Sequence, residues 1–206
     1  MAGPVTHVTL AVKVFNKYFR GRNIGEFVIG TSLPDIRYLG VIDRDKSHFE
    51  NIVFDDLTNL SSFEAGLKLH SLVDSIREEY LINNKYYSLF PASDVLTQAA
   101  KVFEDRLLYD KLSNWDEINS YFDVVYKDEL NLGISEAAIN KWHKILKRYF
   151  SHKSQDEDNI ILTTEIGFPK ERAEEMNQII QNAQTFKAEQ IVLKFYDDFE
   201  SLLYNA

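Results

Sequence analysis

Five side chains in the first part of the chain have the chemistry of metal ligands: His7, Asp35, His48, His70 and Asp74. The closest two are His70 and Asp74, in the stretch Phe63-Glu64-Ala65-Gly66-Leu67-Lys68-Leu69-His70-Ser71-Leu72-Val73-Asp74. Residues three and four apart share one face of a helix, which puts Phe63, Leu67, His70 and Asp74 together on its apolar side. A carboxylate turned toward a core needs a partner, because burying it alone is expensive. That partner is either a His–Asp hydrogen bond serving structure alone or a metal that both residues ligate. Imidazole and carboxylate ligands suit Zn, and also Mn, Fe or Ni. The chain has no Cys, so there is neither a thiolate site nor a disulfide framework.

The other three candidates fall on elements upstream. Residues 4–19 carry a helical stripe of Val8, Ala11, Val12, Phe15, Tyr18 and Phe19, with Pro4 suited to a first turn and His7 just after it. Gly21 and Gly25 break the chain, and Phe27-Val28-Ile29-Gly30 follows as a short apolar run. Pro34 then opens a turn or short helix bearing Asp35, for which helix capping is the plain alternative. His48 follows the polar loop Asp43–Ser47.

A helix is expected over 61–82, then one capped by Ser93 or Asp94 and running to about 112. Further helices begin at Asn114 and Ser135, the latter passing through Ile139, Trp142, Leu146, Tyr149 and Phe150. Residues 152–159 read as a charged, mobile loop, with Asp156-Glu157-Asp158 solvated. Residues 160–168 fit strand or helix, and Pro169 starts a helical region to the C-terminus, broken near 184–186.

The 206 residues suffice for one large core, and 14 Phe with 11 Tyr supply an aromatic interior. Only 8 Gly and 4 Pro argue against a turn-rich all-β fold. The expected class is a single all-α, multi-helix domain over 1–206. A net charge of −9 weighs against long nucleic acid and anionic membranes. No run approaches a spanning helix. The opening Met-Ala-Gly-Pro-Val-Thr-His lacks a basic region followed by an apolar stretch, which predicts no signal peptide and a cytoplasmic form, with export of a processed form left open. No glycine-rich phosphate loop, Gly-x-Ser-x-Gly elbow or His-Glu-x-x-His motif occurs.

The order His7, Gly30-Thr31-Ser32-Leu33-Pro34-Asp35, His48, Gly66-x-x-x-His70-x-x-x-Asp74 resembles the zinc-dependent phospholipase C family, itself related to fungal-type single-strand-specific nucleases. The resemblance covers about the first 80 residues. It implies an all-α fold with a zinc cluster in a cleft, Asp35, His48, His70 and Asp74 on one ion, and Asp74 with His7 on a second. Asp74 would thus touch every ion. The third metal of that family uses a later His and then His-x-x-x-Glu. Here His143 is followed by Lys147 at the fourth position and His152 by Asp156, so one or two ions are expected.

The resulting expectation is a metal-dependent phosphoric-ester hydrolase acting on a small phosphoester or a phospholipid headgroup. Asp35 could serve as general base, and Arg37 or Arg77 could bind phosphate. The plain alternatives are an ion pair of Arg77 with Asp74, and of Arg37 with Asp43 or Asp45. Glu78 reads as a solvated helix residue and His143 as a satisfied core histidine. Glu104 and Asp105 read as surface groups, either of which could support a metal ligand from outside. From another class comes a non-catalytic helical scaffold retaining one structural ion. A nucleotide phosphohydrolase would be expected to carry an adjacent His-Asp dipeptide, which this chain lacks.

Overall fold

Helix starts are set by side chains that satisfy otherwise orphaned N–H groups. Asn23 accepts from the Glu26 amide, and Ser135 from the Ala138 amide. Ser61 and Glu64 cap each other reciprocally: the Glu64 amide donates to the Ser61 hydroxyl and the Ser61 amide to the Glu64 carboxylate, both at 3.2 Å. A computed structural model describes residues 1–204. Its helices are α1 (Pro4–Tyr18), α2 (Ile24–Ser32), α3 (Arg44–Ser47), α4 (Ser62–Asn83), α5 (Leu96–Leu108), α6 (Trp115–Tyr121), α7 (Lys127–Asn131), α8 (Glu136–Tyr149), α9 (Asp156–Glu165), α10 (Lys170–Gln181) and α11 (Thr185–Leu202). Short 3₁₀ turns, among them Pro34–Leu39, fill several connections. No strand occurs among the described residues, so the chain is all-α as expected. None of its helices is long and apolar enough to cross a membrane.

Three helices divide the interior. One flank of α1, α2 and α4 (Val8, Val12, Val28, Ile29, Phe63, Leu67) packs with α5, α8 and α10 into the larger core. The other flank (Leu10, Val14, Phe27, Leu69, Val73, Ile76) meets Phe195 and Phe199 of α11. The helix carrying His70 and Asp74 is therefore covered on both sides, with only such residues as Glu64, Ser75 and Glu79 reaching solvent.

Several local expectations change. Gly25 lies inside α2 and does not break the chain, because its missing side chain leaves room for Tyr126. The run 27–30 belongs to that same helix. Residues 156–165 form α9, which replaces the loop expected over 156–159 and resolves the strand-or-helix choice that followed it. Asp156, Glu157 and Asp158 sit in its first turn, where carboxylates complement the positive end of the helix dipole. The Gln155 amide also donates to Asp158 at 2.8 Å. The C-terminal break falls at 182–184, between α10 and α11.

The tightest contact in the fold is α2 against α4. A Cβ added at Gly30 would lie 2.2 Å from the Phe63 carbonyl oxygen, and one at Gly66 would lie 2.1 Å from that of Phe27. Both obstacles are backbone, so neither can swing aside. Gly66→Ala is expected to cost about 3 kcal/mol in stability through forced separation of the two helices. Urea unfolding of Gly66→Ala beside an exposed control, Ser75→Ala, checks this; equal midpoints would mean the helices are not held this closely.

Candidate metal centre

The α2–α4 contact fixes the orientation of His70. Its Nδ1 lies 2.9 Å from the Thr31 carbonyl oxygen, so Nδ1 carries the proton and donates. Nε2 keeps its lone pair and points toward Asp74, the arrangement by which an outer hydrogen bond orients a metal-ligating imidazole. Thr31 is held in turn, since its hydroxyl donates to the Gly66 carbonyl at 3.0 Å.

His7 is set from α5. The N-terminus of α1 has no side-chain cap of its own, and Asp105 supplies one from across the interior, accepting from the Thr6 amide and the Thr6 hydroxyl, each at 2.8 Å. Gly3 permits this approach, because a Cβ there would stand 2.4 Å from Asp105 Oδ2. The His7 ring then stacks on His70, with centroids 3.8 Å apart and planes 11° from parallel. His48 stands edge-on to His70 at 4.9 Å, its Nδ1 3.0 Å from the Ser47 hydroxyl.

All five sequence-predicted ligands converge. His7 Nε2 lies 3.2 Å from Asp74 Oδ1, while His70 Nε2 and His48 Nε2 lie 3.7 and 3.9 Å from Asp74 Oδ2. Yet these atoms are not aligned as hydrogen bonds. Both nitrogens of His7, Nε2 of His48 and of His70, Asp35 Oδ1 and Asp74 Oδ2 are buried with no hydrogen-bond partner. Unpaired buried polar atoms each cost about 1–3 kcal/mol, and a cluster of them facing one another is the donor set a cation requires. Ligand atoms of His7, His70 and Asp74 lie within 4.8 Å of one another, and so do those of Asp35, His48 and His70.

The electrostatics agree with ligation. Burial, reinforced by His7, holds the His70 imidazole down to about 3. Burial and Arg44 push His48 down to about 4. Burial alone would raise the Asp74 carboxyl, but His70, His7 and the nearby chain amino group hold it well below the usual range. Neutral imidazoles and an ionised carboxylate are the protonation states a divalent ion binds.

His70, not Asp74, is common to both trios, which differs from the sequence expectation. Since His70 Nδ1 is occupied, only one nitrogen is left to serve them. Asp74 Oδ1 already accepts the Ala2 amide at 2.6 Å.

Arg37 Nη2 lies 3.7 Å from Asp35 Oδ1, so its carboxylate neighbour is Asp35 in place of Asp43 or Asp45. Arg77 pairs with Glu104 and Glu78 in place of Asp74. It is 1% exposed, with Nε and Nη2 on Glu104 at 2.6 and 2.5 Å and Nη1 on Glu78 at 3.2 Å. Glu104 and Asp105 are thus buried groups, contrary to the surface placement their sequence suggests, because each meets a partner from another helix. His143 is a core residue as expected, paired to the buried Glu129 at 2.8 Å. What the sequence concealed is Lys101, whose neighbours in the chain look like an ordinary exposed flank. It lines a cleft beside Asp35, and burial lowers its ammonium pKa against the pull of Asp35.

Removing one member of a buried ion pair leaves the other uncompensated, at about 3–5 kcal/mol. Glu104→Ala should lose that much stability in urea, and Arg77→Met with Glu104→Leu together should recover most of it; an additive double variant would show the two charges to be independent. Asp105 makes the opposite kind of forecast. Burial raises its carboxyl to about 6 despite the hydrogen bonds from Thr6, so the folded protein retains a proton that the unfolded chain gives up near 3.8. Its contribution is therefore most favourable below pH 4 and declines as pH rises toward 6, by on the order of 3 kcal/mol. Asp105→Asn should gain stability relative to wild type between pH 4 and 7. A difference between the two proteins that does not change with pH would contradict this.

Compared with known proteins, the chain matches no family model, no curated protein and no solved structure.

Proposed function

We propose that the chain is a metal-dependent phosphoric-ester hydrolase whose centre is formed by His7, Asp35, His48, His70 and Asp74. The observation that carries this reading is the convergence of buried, unpartnered nitrogen and oxygen atoms from these five residues. A bound divalent ion, with zinc the best match to this donor set, would lower the pKa of water and stabilise charge on phosphoryl oxygens. His70, with one free nitrogen, supports one well-held ion; a second would depend chiefly on His7 and Asp74. The resemblance to the phospholipase C family supports phosphoester chemistry.

The protein's own groups have distinct tasks in this reading. Asp35, which lines the cleft, takes a proton from the attacking water in this reading. Arg37 lies over the Tyr38 ring with its guanidinium carbon 4.2 Å from the centroid, and its buried Nε has no partner. That free donor suits a phosphate oxygen. Arg77 positions α4 through Glu104 and takes no part in binding substrate. The favoured substrate is a small phosphoester or a phospholipid headgroup, and not long nucleic acid.

A non-catalytic scaffold with one structural ion is the second reading. It is favoured by the Ala2 amide on Asp74 and by Met1, whose amino group lies 3.7 Å from the same carboxylate. Metal analysis and assay distinguish the two. After dialysis against zinc, the wild type should retain about one ion per chain and hydrolyse bis(4-nitrophenyl) phosphate, with activity lost to a chelator. His70→Ala and Asp74→Ala should each lower zinc retention at least tenfold, and Arg37→Ala should raise KM more than it lowers kcat. Zinc retention without any phosphoesterase activity would favour the scaffold; no retention, unchanged by the variants, would end both readings.

A further inference from the structure

The metal ligands are reached from two sides, and the sides differ in chemistry. A broad groove beside His48 and Asp74 is lined by Asp45, Glu50, Glu78 and Glu79. The other opening is a cleft with a cavity of about 120 Å³ that begins at Asp35 and runs between the start of α1 and helices α5, α8, α9 and α10. Its wall is mostly apolar: Tyr38, Trp142, Leu162, Ile166, Phe168 and Met176. The wall is also fixed, because the Trp142 indole donates to the Ser32 carbonyl at 3.0 Å and Tyr38 meets Phe168 edge-on.

Two cations line this mostly apolar cleft, Lys101 from α5 and Arg172 from α10, the latter lying over the Phe168 ring. Lys101, from α5, lines it together with Asp35, and its ammonium makes no hydrogen bond or ion pair with any described residue. Lys101 is half-buried, and a cation partly withdrawn from water without a direct counter-ion favours an anion beside it. Asp35, Asp74 and Glu104 act on it only at longer range. Glu104 is committed to Arg77, and Asp35 and Asp74 belong to the metal centre. Asp105, which also lines the cleft, is engaged by the Thr6 amide and hydroxyl, so Lys101 faces the cleft without a direct counter-ion.

We propose that this cleft is a binding site for a small organic anion. The anionic head sits between Lys101 and the metal centre, and the aryl or alkyl body lies against Tyr38, Trp142 and Phe168. Charge complementarity selects the head and the apolar wall selects the body. Neither an inorganic anion nor a neutral apolar molecule satisfies both. Lys101 is accordingly a specificity-determining residue, and the binding it governs stands whether or not the protein hydrolyses a phosphoester.

Calorimetric titration of the zinc-dialysed protein tests this, using phenylphosphonate, benzoate, benzyl alcohol and inorganic phosphate as probes. Phenylphosphonate or benzoate should bind at least about tenfold more tightly than benzyl alcohol and than phosphate; whichever is tighter identifies the head group. Lys101→Met should remove that margin with zinc content unchanged, and Lys101→Arg should keep most of it. Lys101→Met replaces a half-buried lysine by an apolar chain of similar length, so its melting temperature should not fall below that of the wild type, and lost binding could not then be ascribed to unfolding. Equal anion binding by wild type and Lys101→Met would overturn the proposal. So would benzyl alcohol binding as well as the anions, or no binding of either organic anion by the wild type. Absence of phosphoesterase activity with Lys101-dependent anion binding intact would remove the hydrolase reading alone.

Discussion

The backbone-to-backbone approach of α2 and α4 at Gly30 and Gly66 governs the chemistry of the centre as well as its stability. It brings the Thr31 carbonyl within reach of His70 Nδ1, and that single contact decides which ring nitrogen carries the proton. A side chain at either glycine would separate the helices by more than a hydrogen bond tolerates. His70 would then lose the partner that aims its free nitrogen at Asp74. Packing and ligand geometry are thus one constraint, expressed first in sterics and then in a tautomer.

A second constraint comes from α5, where two neighbouring carboxylates hold two different helices. Glu104 takes the Arg77 guanidinium from α4, and Asp105 takes the N-terminal amide and hydroxyl of Thr6 from α1. His7 follows Thr6, and Asp74 lies one turn before Arg77. So α5 sets the spacing between the His7 ring and the Asp74 carboxylate without contributing a ligand. The two holding groups differ in ionic character. Glu104 answers a permanent cation, whereas Asp105 is surrounded by neutral donors and by the Tyr149 hydroxyl at 3.2 Å, which is why burial raises its carboxyl.

The cluster of candidate ligands was legible because each residue is a chemical oddity in its setting: a histidine or carboxylate on an apolar face or beside a proline turn. Of the polar caps read from the sequence, Ser135 marks its helix start to the residue, whereas Asn114 makes no capping hydrogen bond and Val95 holds the cap position of α5. The supporting charges were not legible. Glu104, Asp105 and Lys101 follow the stripe Ala99, Ala100, Phe103 as an outer face would, and nothing local tells that α1 and α4 close over them. Gly25 misled for the related reason that a helical glycine making room for Tyr126 has the same spelling as one ending a helix. The acids at 156–158 resemble a solvated run until the helix dipole they complement is seen.

The two openings beside the candidate ligands differ in charge. The groove beside His48 and Asp74 presents Asp45, Glu50, Glu78 and Glu79 against Arg44 and the chain amino group, an excess of negative charge. Such a field would draw divalent cations inward and turn anions away, while the cleft past Asp35 carries Lys101, Arg172 and an apolar wall. Metal and organic anion would therefore approach by separate routes, so that neither need leave for the other to enter. Raising the salt concentration would weaken the first route far more than the second, because only the first works through exposed charges at a distance.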